Sequence, residues 1–255
     1  MNVGELYFAL NQKIPSALSC DWDNDGLMCC PDTEKEVSRV LVALDITAEV
    51  VTRAIEGGYD AIVSHHPLIF SPLRAVNPND PVAKKVIRLL GAGITAMSFH
   101  TRLDAVEGGV NDVLANALGL EEVSSFGENG EEIGRIGTLP EAVTLEAFAR
   151  TVKQTLGADQ ITFADAGLPV RRVAVLGGGG ASEVLAAKRA GADTYLTGEL
   201  KHNNLTDAPE TGINLLAGGH FYTENLVCDR ICEILKEIDP TLSVDVINSN
   251  AVRVL

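Results

Sequence analysis

From Arg39 the chain alternates short apolar runs with amphipathic stretches. "RVLVALDITAEVVTRAIEGGYDAIVS" reads as an apolar strand, a helix of apolar periodicity, a Gly-Gly stop and a second short apolar strand. From Arg172, "RVAVLGGGGASEVLAAKRAGADTYLT" has the same strand–helix–strand order. Aligned without a gap, Arg39 meets Arg172, Val40 meets Val173 and Val42 meets Val175, while Ala54, Gly58 and Asp60 meet Ala187, Gly191 and Asp193. The match is weak residue by residue but coherent as a pattern. Strands alternating with helices of about ten residues predict parallel βαβ units. A further strand in each half, "GITAMSF" and "GINLLAGG", leads to a histidine with a carboxylate four residues on: His100 with Asp104, and His220 with Glu224.

The pattern therefore predicts an α/β fold of two similar lobes related by an internal repeat. The lobes are expected at residues 1–124 and 125–255, with the C-terminal segment able to pack on the first lobe. A helix near Val143–Gly157 opens the second. The polar, glycine-rich stretch Ser124–Gly137, "SSFGENGEEIGRIG", reads as the linker.

Composition narrows the partners. The 255 residues carry a formal net charge of -15. Nucleic acids are bound mainly through phosphate neutralisation by Lys and Arg, so this chain is a poor candidate for that. An anionic membrane surface is disfavoured for the same reason. No run of about 18 apolar residues occurs, and the N-terminus lacks the basic region and apolar core of a secretory signal. Of five cysteines, Cys20, Cys29, Cys30, Cys228 and Cys232, none forms a C-x-x-C pair. Free thiols in a cytoplasmic protein are expected.

The five histidines carry the candidate chemistry. His65, His66, His100, His202 and His220 all fall just beyond predicted strand ends, where open α/β sheets bind ligands. Asp104 and Glu224 fall there too. Adjacent strand residues point to opposite faces, so His65 and His66 within a strand would not reach one metal. Pro67 places the strand end before it, where two neighbouring imidazoles can serve different centres. The plainer alternative is one packed and one solvated histidine. Mixed imidazole and carboxylate sets suit Zn, Mn, Fe, Co or Ni rather than Ca.

In order along the chain, "WDNDGLM", "VALDITAEVV", "IVSHHPLIF", "HTRLDAVEGGVND", "ADTYLTGELKH" and "GHFYTE" resemble the family of GTP cyclohydrolase 1 type 2 homologues, also called Ngg-interacting-factor-three-like proteins. The resemblance covers nearly the whole chain, in the short form without an inserted domain. It implies two α/β lobes with a dinuclear metal site in the cleft between them, and a toroidal homohexamer. The ligands it implies are His65, His66, Asp104, His220 and Glu224. His66 and Asp104 would hold one of two divalent ions, His65 and His220 the other, and Glu224 would bridge. Five protein ligands for two ions leave open positions, the mark of a catalytic site.

The function so implied is a metal-dependent hydrolase acting on a nucleotide or other phosphorylated small molecule, by GTP cyclohydrolase-type ring opening if the family name holds. His100 and His202 are the expected proton carriers, and Glu199, Lys201 and Thr223 are further rim candidates. The alternative is a non-catalytic metal-binding protein that buffers or delivers ions or regulates a partner. Two positions depart from the family pattern, Arg102 for the usual Asn and Asn203 for a common His. Arg102 is expected either to face the cleft and bind an anionic substrate or to pair with a nearby acid, with a slight lean to the cleft. The Gly177–Gly180 loop reads first as a tight turn and only weakly as a phosphate cradle. The acid-rich "WDNDGLM" is a candidate to line the cleft, but Trp22 and Leu27 are rather expected to pack the first lobe.

Overall fold

The computed structural model describes residues 1–128 and 131–253. The described strands are β1 (Gly26–Cys29), β2 (Arg39–Ala43), β3 (Ala61–Ser64), β4 (Thr95–Ser98), β5 (Glu121–Glu128), β6 (Glu131–Val143), β7 (Thr162–Ala164), β8 (Val170–Leu176), β9 (Thr194–Thr197), β10 (Asn214–Ala217) and β11 (Ser243–Ile247). The fold is mixed α/β with two sheets, divided between two compact units. One comprises Met1–Val106 and Val227–Ala251; the other comprises Glu107–Leu226 and the chain end from Val252.

The first unit holds a five-stranded sheet in the order β1-β4-β3-β2-β11. β11, β2, β3 and β4 run parallel, and β1 closes the edge antiparallel to β4. β3 and β4 are buried along their whole length, as strands covered on both faces must be. The helix Ala48–Glu56 starts where the Thr47 hydroxyl accepts the Val50 N–H, and the helix Pro81–Gly91 starts on Asp80 with proline in its first turn. Val50, Val51 and Ala54 of the first helix and Leu89 of the second pack with Leu41, Ile62 and Ala96 of the sheet. After a long excursion the chain returns through the helix Val227–Ile238 to add β11 beside β2.

The second unit holds a six-stranded sheet in the order β5-β6-β8-β9-β10-β7. β8, β9 and β10 run parallel; the other pairings are antiparallel. The helix Leu145–Leu156 is capped by Thr144 and stopped by Gly157 in the left-handed conformation, as its sequence predicts. Phe148, Ala149 and Val152 seat it on Val173 and Val175.

The stretch expected to be a linker is instead the antiparallel pair β5–β6, registered at Ser125 with Arg135 and Phe126 with Gly134. Asn129 and Gly130 of that stretch lie outside the described residues. Its glycines make room for packing. A side chain at Gly134 would collide with the Phe126 ring, and one at Gly137 would sit 2.9 Å from the Glu121 carbonyl oxygen.

Each unit repeats one local device. Asp60, entering β3, accepts the N–H groups of Ser38 and Arg39 through Oδ2. Asp193, entering β9, accepts those of Arg171 and Arg172. Both carboxylates thereby fix the start of a neighbouring parallel strand. All five cysteines are unbridged. No helix among the described residues is long and apolar enough to cross a membrane.

Candidate metal centre

β3 ends at Ser64, so His65 and His66 lie beyond the strand and escape its alternation. The Ser64 hydroxyl donates to the His66 carbonyl at 2.8 Å, and the His66 N–H donates to the Leu44 carbonyl at 2.9 Å. β4 ends beside it, and His100 caps the short helix Thr101–Ala105. These loops bring the side-chain ligand atoms of His65, His66 and His100 within 4.8 Å of one another.

Each of these rings is held by the same nitrogen. His65 Nδ1–H donates to the Phe99 carbonyl at 2.9 Å, His66 Nδ1–H to Asp45 at 2.8 Å and His100 Nδ1–H to Asp23 at 2.8 Å. Carbonyl and carboxylate oxygens only accept, so the proton must sit on Nδ1. Nε2 is then left as the basic nitrogen, the arrangement found where imidazole ligates a metal. Asp104, one turn along from His100, places Oδ1 3.8 Å from His65 Nε2.

In the second unit, β10 is followed by Gly218 and Gly219, and His220 opens the helix His220–Glu224. One helical turn puts His220 and Glu224 on the same face, with Nε2 and Oε2 3.2 Å apart. His220 Nδ1–H donates to Glu199 at 3.1 Å, so here too Nε2 is the basic atom. Thr223 turns inward: its hydroxyl accepts the Gly178 N–H at 3.1 Å.

The Gly177–Gly180 loop serves this pair and is no phosphate cradle. Three of its N–H groups are spent on side chains: Gly177 on Asn111, Gly178 on Thr223 and Gly180 on Thr197. Gly178 has φ +65°, and a Cβ there would collide with Glu224 Oε1 and stand 3.0 Å from His220 Nε2. The glycine lets the carboxylate lie against the backbone.

Two expectations need correction. Arg102 does not face a cleft: it is 1% exposed. Its Nε donates to Asp25 at 2.9 Å, an Nη to Asn11 at 2.6 Å, and its guanidinium lies over the Phe99 ring. With its donors taken by Asp25, Asn11 and the Ile14 carbonyl, the cation is structural. Trp22, expected in the core, is exposed. His202 opens the helix His202–Thr206 as an exposed residue, and Lys201 is exposed beside it.

Sequence reasoning missed the carboxylates that steer the imidazoles. Asp23, in "WDNDGLM", also accepts the Thr101 N–H and hydroxyl. Burial alone would raise its pKa, but the hydrogen bonds from His100 and Thr101 hold it well below the usual carboxylate range. Asp45 follows β2 at the edge where His66 follows β3; an acid at the end of a neighbouring parallel strand was the available signal.

The family model for Duf34/NIF3 (NGG1p interacting factor 3) matches residues 1–253. The chain belongs to that family. Among Duf34/NIF3 relatives, it is 34% identical over 260 residues to a GTP cyclohydrolase 1 type 2 homolog of Streptococcus pneumoniae, covering 98% of this chain and 97% of the relative. It is 35% identical over 225 residues to one of Nostoc, covering 86% and 84%. Among solved structures, the Staphylococcus aureus hypothetical protein SA1388 superposes with a TM-score of 0.89 at 27% identity, over 100% of this chain and 99% of that one.

The residues fit a divalent ion. With Nδ1 tied back, His220 Nε2 and Glu224 Oε2 converge at 3.2 Å, and His65 Nε2 and Asp104 Oδ1 at 3.8 Å. A divalent cation placed there could take both members of each pair as ligands, and the nitrogen and oxygen donors suit a first-row transition metal.

Proposed function

We propose that the chain is a dinuclear metal-dependent hydrolase acting on a nucleotide or another phosphorylated small molecule. The reading rests on one observation above all: four imidazoles, His65, His66, His100 and His220, are each tied back through Nδ1 and offer Nε2. On this reading the two divalent ions, of the Zn, Mn, Fe, Co or Ni class, are held by His65, His66, Asp104, His220 and Glu224, in a cleft between two lobes related by an internal repeat. On the pairing the resemblance implies, His66 and Asp104 would hold one ion and His65 and His220 the other. Glu224, flanked by His220, serves as the bridge.

Bound there, the ions supply Lewis acidity and a water acidified toward neutral pH. This chain's own residues orient the ligands and handle protons. Asp23, Asp45, Glu199 and the Phe99 carbonyl fix ring tautomer and direction. His100 holds or releases a proton at Nε2, with His202 as the second carrier. The names of the relatives point to GTP ring opening as the first substrate to try. We further propose a closed homohexamer, as the family resemblance implies; closed symmetry is the usual outcome for soluble homo-oligomers. Light scattering from a monomer at micromolar concentration refutes it.

The test is elemental analysis of metal-loaded protein with a hydrolysis screen across nucleotides and phosphoesters. Two ions per chain are expected, with both lost in Glu224→Ala and one mainly weakened in His65→Ala. Turnover should disappear with the ligands, and fall in His100→Ala at full metal occupancy. Saturation at one ion per chain overturns the dinuclear reading. Full loading without turnover on any substrate leaves a metal-buffering or regulatory protein instead.

A further inference from the structure

Three large aromatic side chains of the first unit stand in solvent, Phe8, Trp22 and Phe70, and the last two, at 60% and 51% exposure, stand together. Neither rides on a loose segment. The Cys20 N–H donates to the Thr101 hydroxyl at 3.0 Å, and the Asp23 N–H donates to the Cys20 carbonyl at 3.0 Å, which closes a turn around Trp22. The Asn24 side-chain amide donates to the Ile69 carbonyl, joining that turn to the segment that carries Phe70.

The two rings meet a third. Trp22 and Phe70 have centroids 6.3 Å apart at 69°; Trp22 and His100 are 6.3 Å apart at 82°; Phe70 and His100 are 6.0 Å apart at 89°. Three rings, pairwise near-perpendicular, meet like the walls of a corner. The third wall, His100, is held by Asp23 and clusters with His65 and His66.

We propose that this corner receives the planar nitrogen heterocycle of the substrate, a purine or related base, stacked flat on Phe70 with its edges toward Trp22 and His100. The inference rests on the metal-centre reading and names the ring-bearing part of its substrate. A flat ring parallel to one wall is edge-on to the other two, and both arrangements are favoured between aromatic rings. A sugar or an aliphatic chain gains neither. A base carries polar atoms on its edge, which meet His100 and Asn24 without stranding their hydrogen-bonding groups, whereas a plain hydrocarbon ring would strand them. Recognition through the ring also suits a chain of net charge -15 whose one cation within the "HTRLD" motif, Arg102, is buried against Asp25.

Trp22 is the chain's only tryptophan, so its fluorescence reports on the corner directly. The metal-loaded full chain is titrated with guanosine and adenosine, with ribose 5-phosphate as the ring-free control and free N-acetyltryptophanamide to correct for absorption. Saturable quenching by the nucleosides and none by ribose 5-phosphate is expected. Phe70→Leu should raise the Kd by roughly five- to a hundredfold, the worth of one base–aromatic stack. Phe70→Tyr should keep it, both variants melting with the wild type. Absent saturation, or an unchanged Kd in Phe70→Leu, overturns the proposal. So does a Trp22 emission already shielded from acrylamide in the ligand-free protein, which would show a second copy covering the pair. Two bound ions and turnover without nucleoside quenching sink the corner alone. Nucleoside quenching by a wild-type chain that takes up no divalent metal sinks the metal centre and leaves the corner standing.

Discussion

Gly178→Ala is the sharpest single perturbation of the proposed metal centre, because it reaches Glu224 without altering any ligand. The added Cβ would collide with Glu224 Oε1 and lie 2.9 Å from Cδ and 3.0 Å from His220 Nε2. Ordinary contact needs about 3.5 Å or more, so Cδ must retreat by at least about 0.6 Å and Oε1 further. Metal–ligand distances tolerate shifts of only about 0.2 Å. The backbone adds its own penalty: φ is +65°, and a left-handed conformation costs a residue with a Cβ about 1–2 kcal/mol. The expected result is a loss of about 1–2 kcal/mol or more in folding stability, with metal affinity down about 10–100-fold, as when a group that orients a ligand is removed. Two neighbours serve as controls. Gly179→Ala meets nothing within 4 Å and should behave as wild type. A Cβ at Gly180 would collide with the Tyr195 hydroxyl and Thr197 Oγ1 but not with Glu224, so Gly180→Ala should destabilise while sparing metal affinity. Urea melts in the presence of chelator report stability, and competition against a chelator reports affinity. Wild-type affinity in Gly178→Ala, or equal metal loss in the 178 and 180 variants, would refute the assigned role of this glycine.

Replacing Arg102 by Met should cost about 3–5 kcal/mol in a urea melt, because it leaves Asp25 buried without its cation; a change under about 1 kcal/mol would mean that Asp25 finds solvent. Burial pushes the thiols of Cys29 and Cys232 up to about 11. At pH 8 they should react with a disulfide reagent roughly ten- to twentyfold more slowly than an ordinary thiol, the hundredfold loss of thiolate being partly offset by its greater nucleophilicity, with the rate climbing toward pH 11; labelling of either in the folded chain as fast as a free thiol would contradict the raised pKa. Asp60→Asn keeps the shape but loses the charge that accepts two backbone N–H groups and faces Lys35 at 3.1 Å; a loss of about 1–3 kcal/mol is expected by chemical denaturation.

Several features of this protein were decided along the chain itself. The helix limits at Thr47, Asp80, Thr144 and Gly157 follow from side-chain caps and a left-handed glycine, which act within a few residues. The continuous apolar runs of β3 and β4 announce strands covered on both faces, and Pro67 places His65 and His66 past the end of one of them. The one-turn spacing of His220 and Glu224 sets them side by side on any helix. What lies opposite a residue was not decided there, because side-chain contacts join positions far apart in sequence. Arg102 has Asp25 and Asn11 as partners, 77 and 91 residues away, and only their arrival makes it structural. The glycines of 124–137 read as flexibility until Phe126 is seen lying against Gly134. The same holds for Asp45, whose service to His66 exists only once β2 and β3 lie side by side, and for Asp23, which reaches His100 only once β1 pairs antiparallel with β4. Local rules place the imidazoles beyond the strand ends, and tertiary packing selects which nitrogen each of them offers.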